Sequence, residues 1–99
     1  MNQYITEDQW NTISYEEKEM FYRDIGWLEK KQKHLDSPVI GQMIDFLYRH
    51  ETVCIESEER ESPNYGWIVN KKHIAVELCD ALWKEVCEVL IHIKKEKCL

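Results

Sequence analysis

The last third of the chain carries one long apolar stripe, and that stripe limits the folds open to everything before it. With residues set 100° apart from Ile74, the group Leu78, Val89, Leu82, Ala75, Ile93, Val86, Cys79, Leu90 and Trp83 fills an arc of about 140°. Glu77, Asp80, Lys84, Glu88 and His92 fall outside it. The pattern predicts a helix from about 74 to 96 whose apolar face is wide enough to touch two neighbours and act as the spine of a core. Leu82, Val86 and Val89 are expected inside that core, with Trp83 at its margin. Lys94, Lys95 and Lys97 suit the negative pole of the helix. Ninety-nine residues have room for one core and not two, so residues 1–99 are expected to form a single domain. The composition, 43% hydrophobic with three Gly and two Pro, is that of a packed chain rather than a disordered one.

Upstream, Thr6-Glu7-Asp8-Gln9 has the form of a capping box and should open a short helix holding Trp10 and Ile13. Ser14-Tyr15-Glu16-Glu17 repeats the signature, and Phe21, Ile25 and Leu28 follow at helical spacing with Met20 and Trp27 beside them. A helix over 15–33 is expected, with Gly26 marking a kink or a close backbone contact. Ser37-Pro38 reads as an N-cap with Pro at the first helical position. Val39, Ile40, Met43, Phe46 and Leu47 then trace one face of a helix ending near His50, on which Gly41 would let a neighbour approach closely.

From Thr52 the period drops to two. Val53, Ile55 and Ser57 alternate with Cys54, Glu56 and Glu58, which predicts a strand with a charged outer face. Residues 61–66 supply turn chemistry and Trp67-Ile68-Val69 a second β-rich run, so a hairpin follows. The expected architecture is α+β, in the order α-α-β-β-α. A lone hairpin is marginal in water, so it must pack on helices or pair with another chain.

Few residues are arranged for chemistry. The sequence has no Gly-x-Ser-x-Gly elbow, no P-loop and no dinucleotide fingerprint, and no catalytic residue, cofactor or metal is assigned from it. His34, His50, His73 and His92 are scattered rather than set at ligand spacing. Cys79 and Cys87 stand eight residues apart on one helix, about 12 Å along its axis, too far for a disulfide or for sharing one zinc ion. With Cys54 and Cys98 they read as free thiols of a reducing cytoplasm. No apolar run approaches a bilayer span, so no membrane association is expected, and the start of the chain lacks the order of a signal peptide.

Charge narrows the partners. Thirteen basic against nineteen acidic residues give −6, which disfavours nucleic acid as a ligand because that binding runs on phosphate neutralisation. Lys30, Lys31, Lys33 and His34, near Trp27 and Tyr22, make only a small basic patch blunted by Glu29 and Asp36. Acidity concentrates in the middle, and Glu56, Glu58, Glu59 and Glu61 with Tyr65 form the candidate interaction surface. The order of Tyr4-Ile-Thr-Glu-Asp-Gln-Trp10, Ser14-Tyr-Glu-Glu-Lys18, the 37–47 segment and Glu77-Leu-Cys-Asp-Ala-Leu-Trp83 resembles short phage- and prophage-encoded proteins of unassigned function. The resemblance implies a bacterial or phage-infected cytoplasm and an accessory role. The expected function is that of a small acidic, non-enzymatic binding protein contacting another protein. The alternative is a self-associating module that dimerises through its hairpin or its C-terminal helix.

Overall fold

A computed structural model describes residues 3–26, 36–59 and 65–97. Among these residues four helices, α1 (Glu7–Trp10), α2 (Tyr15–Asp24), α3 (Ile40–Tyr48) and α4 (Leu78–Lys97), accompany three strands, β1 (Ile55–Glu59), β2 (Tyr65–Val69) and β3 (His73–Ala75). The strands form one antiparallel sheet in the order β1-β2-β3. The fold is α+β, as expected, with one strand more than the hairpin.

Both capping boxes form. Thr6 Oγ1 accepts from the Gln9 N–H at 3.1 Å while Gln9 Oε1 accepts from the Thr6 N–H at 2.8 Å. Ser14 and Glu17 make the same exchange at the start of α2, both at 3.2 Å. These side chains satisfy amide donors that a helix start otherwise leaves open. Gln9 Nε2 also donates to Asp80 Oδ1 at 2.8 Å, which ties α1 to the start of α4.

Three boundaries differ from the sequence expectation. The helix expected over 15–33 ends at Asp24, because Gly26 takes a left-handed φ of 74° that glycine tolerates and a continuing helix does not; residues 27–33 lie outside the described residues. The third helix begins at Ile40 rather than at Pro38. Val39 is extended and bridges antiparallel to Tyr4, and the Ile40 N–H donates to the Gln3 carbonyl, so the backbone there is already engaged in strand-like pairing. The last helix begins at Leu78 rather than near 74, because Ile74 and Ala75 pair with Ile68 and Trp67 in β3.

The core gathers on α4. Leu82, Val86 and Leu90 are fully buried and Leu78, Cys79 and Trp83 nearly so, facing α3 on one side and β2 and β3 on the other. Val89, expected inside, is only half-buried. Trp83, expected at the margin, is enclosed: its ring lies 5.6 Å from Trp10, which meets Phe21 and Tyr22 edge-on at 6.0 and 5.9 Å. Met43, Phe46 and Leu47 present the expected face of α3, and Phe46 stacks on Phe21 at 4.9 Å. Edge-on and offset pairs of this kind contribute beyond their buried area, about 0.5–1.5 kcal/mol each. Gly41 is exposed, and among the described residues nothing makes the expected close approach to it.

Candidate functional site

Two surface features stand out, on opposite faces of the sheet. Strand alternation turns Ile55, Trp67, Val69 and Ala75 inward, where they pack on the core. The same alternation turns the cross-strand row Glu56, Ile68, Ile74 outward. Ile74 is 44% exposed and Val76, just beyond β3, 72%. Among the described residues no helix packs over this outer face. Gly66 lies beneath the Ile74 side chain, and a methyl there would stand 3.9 Å from Ile74 Cγ2.

Of the residues expected to form the interaction surface, Glu56 is exposed on this outer row. Glu58 and Glu59 pair through their backbones with Gly66 and Tyr65 at the far end of the hairpin. The side chains of Glu58, Glu59 and Tyr65, and the whole of Glu61, lie outside the described residues, as does the 30–34 basic patch. Cys54, at the entrance to β1, donates its thiol to Glu56 Oε1 at 3.3 Å; that hydrogen bond, then burial, then the carboxylate charge push the thiol above its usual range. Cys79 and Cys87 are also free thiols, and Cys98 lies outside the described residues.

The second feature was not legible as a motif. The turn between β2 and β3 places Asn70 and Lys71 at φ 53° and 60°, and the Lys72 N–H closes it on the Val69 carbonyl. Asn70 fastens this turn to its surroundings. Its Oδ1 accepts from the Cys54 N–H at 2.7 Å, and its Nδ2 donates to Glu51 Oε1 at 3.1 Å. The chain then delivers Lys72 and His73 onto α4, beside Glu85 and Glu88, which share a face because they stand three residues apart on the helix.

Glu85 is 1% exposed, the one charged residue buried among the core side chains described. Its Oε1 meets Lys72 Nζ at 3.2 Å, and its Oε2 lies 2.8 Å from His73 Nε2. Both of these last atoms are sealed from solvent, yet no in-line hydrogen bond joins them or reaches either from elsewhere. Glu88 Oε2 lies 3.3 Å from both Lys72 Nζ and His73 Nε2. Glu51 completes the group. Burial foremost, then a hydrogen bond with Glu85 and the charges of Glu85 and Glu88, push its carboxyl up to about 7 against the pull of Lys72. Partial burial raises the Glu88 carboxyl, but its contacts with His73 and Lys72 prevail and hold it below the usual range. Hydrogen bonds to Glu85 and Glu88 in turn raise Lys72.

Glu51, Lys72, Glu85 and Glu88 of this cluster form one wall of an open cleft of about 560 Å³, lined also by His50, Val89, His92 and Ile93, while His73 stands behind that wall. His50 is held by Asp24 at 2.9 Å and His92 by Glu96 at 3.0 Å. Sequence spacing separates the four histidines and gives no signal at Glu85. Folding brings His73 to two carboxylates that lie twelve and fifteen residues further along the chain.

No helix among the described residues is long and apolar enough to cross a membrane. Compared with family models, with curated proteins and with solved structures, the chain finds no match.

Proposed function

We propose that this chain is a small acidic, non-enzymatic binding protein that occupies a basic surface on a protein partner, as a phage-type accessory protein or inhibitor in the cytoplasm would. The observation that carries the reading is the outer face of the sheet, where exposed Ile74 and Val76 share a face with Glu56 across Ile68 and no described helix packs over them. Apolar side chains rimmed by charge are the usual make-up of a contact surface. The net charge of −6 favours a basic partner and faster encounter with it. Free thiols at Cys54, Cys79 and Cys87 suit a reducing compartment.

The reading is tested by capture from bacterial lysate with three baits: the wild-type chain, Glu56→Lys and Ile74→Asp. A specific partner should be retained by wild type, should fall away as salt rises, and should be lost to both variants. A partner kept equally by all three, or indifferent to ionic strength, sinks this use of the face. The second reading, self-association, draws on one observation. Strand β1 lies at the edge of the sheet, so its outer edge has no strand beside it among those described. Light scattering on the purified chain decides it, since a strict monomer at every concentration excludes a dimer built on that edge.

A further inference from the structure

We propose that His73, Glu85 and Glu88 form a binding site for one divalent transition-metal ion of the zinc type, its two carboxylates set in the wall of the cleft. The three side chains offer one imidazole nitrogen and two carboxylate oxygens that all lie within 4.8 Å of one another. His73 Nε2 stands 2.8 Å from Glu85 Oε2 and 3.3 Å from Glu88 Oε2. Donors bound at about 2.0–2.2 Å around a tetrahedral ion are separated by about 3.3–3.6 Å, so the His73–Glu88 pair already stands near that spacing and the His73–Glu85 pair would open by roughly 0.5–0.8 Å to accept one.

The buried pair points to a ligand independently of the acidic cluster. Glu85 Oε2 and His73 Nε2 face each other, sealed from water, and neither completes a hydrogen bond. Buried polar atoms are nearly always satisfied, and a cation accepting a lone pair from each would satisfy both. The cleft supplies a route in on the carboxylate side, where Glu85 and Glu88 line it. An imidazole with two carboxylates suits zinc better than magnesium or calcium, which prefer oxygen alone.

Lys72 is the competitor. Its ammonium lies 3.2 Å from Glu85 and 3.3 Å from Glu88, placing a positive charge on the same oxygens. A metal site and a plain ion-pair network therefore respond oppositely to its removal. Isothermal titration of the full chain with Zn²⁺ near neutral pH should show one ion bound. His73→Ala and Glu88→Gln should each weaken it at least about tenfold, the lower end of what supporting residues around a metal already contribute, and Lys72→Met should tighten it. Glu88 is half-exposed, so Glu88→Gln keeps the test sound should the His73 variant fold poorly. Co²⁺ in place of zinc should give d–d absorption without a thiolate charge-transfer band. Absence of saturable binding, affinity unchanged in Glu88→Gln, weaker binding in Lys72→Met, or a strong thiolate band would each overturn the proposal.

Discussion

Tyr22 packs against Trp10 and Phe21 while its hydroxyl donates to the Asp36 carbonyl, so one side chain links α2 to the segment that leads into α3. Burial first, and the charge of Asp36 second, push its phenol up to about 12. An unfolded tyrosine titrates near pH 10. A group whose pKa is raised by folding contributes fully below its unfolded pKa and loses that contribution as pH rises through the folded one. Tyr22 should therefore favour the fold up to about pH 10 and cease to do so by about pH 12. In melts across this range wild type should lose stability more steeply than Tyr22→Phe, which has no phenol to ionise there. Parallel slopes would show that Tyr22 does not titrate as its surroundings imply. At this same scale Glu85 explains a gap in sequence reading. At 100° per residue it falls about 20° beyond Leu78, on the border of the apolar arc, where a glutamate reads as surface. Ala81 lies further round still and is also fully buried, so the covered face is wider than the apolar one.

Among the elements, β3 most changes the picture of the chain. Sequence periodicity draws its residues into the last helix because Ala75 falls within the helical stripe and Ile74 starts it, and a three-residue strand has too little length to display a period of its own. What decides for the strand is the turn before it. Asn70 and Lys71 both adopt left-handed backbone, which asparagine accepts readily and lysine does not, at a cost of about 1–2 kcal/mol for a residue with a Cβ. Lys71→Gly should relieve most of that cost while adding some chain entropy to the unfolded state. The expected net gain is about 0.5–1 kcal/mol, seen as a melting temperature higher by roughly 2–8 °C. A lower melting temperature would mean that Lys71 is not strained in the folded turn.

Across the whole molecule, stability is concentrated where α4 meets the other elements. Leu82 is fully buried there. Leu82→Ala removes its methyl groups and leaves a space the neighbours cannot fully close, at about 2–5 kcal/mol. Domains of this size have only about 5–15 kcal/mol in total, so a melting temperature lower by about 10 °C or more is expected. Lys95→Ala, at an exposed position of the same helix, is the control and should shift stability by less than about 0.5 kcal/mol. Glu88 would make a poor control despite its polar position, since it is bound to Lys72 and His73. If Leu82→Ala melts with the wild type while Lys95→Ala does not, α4 does not sit on the core as described.

The sequence alone determined what depends on neighbours along the chain. Thr6 with Gln9 and Ser14 with Glu17 opened their helices because a cap spans three residues. The apolar faces of α3 and α4 and the alternation entering β1 were equally local, since period follows from backbone geometry. Only the tertiary structure decided where pairing overrides propensity. Tyr4 takes Val39 into a bridge and delays α3, and β2 takes Ile74 and Ala75 into a strand and delays α4. It alone also assembled His73, Glu85 and Glu88, because a turn of left-handed residues and a helix face come together only after both elements dock. The physical reason is range: caps and periods are written within a few residues, whereas burial of a carboxylate beside an imidazole depends on which surfaces the packed core leaves in contact.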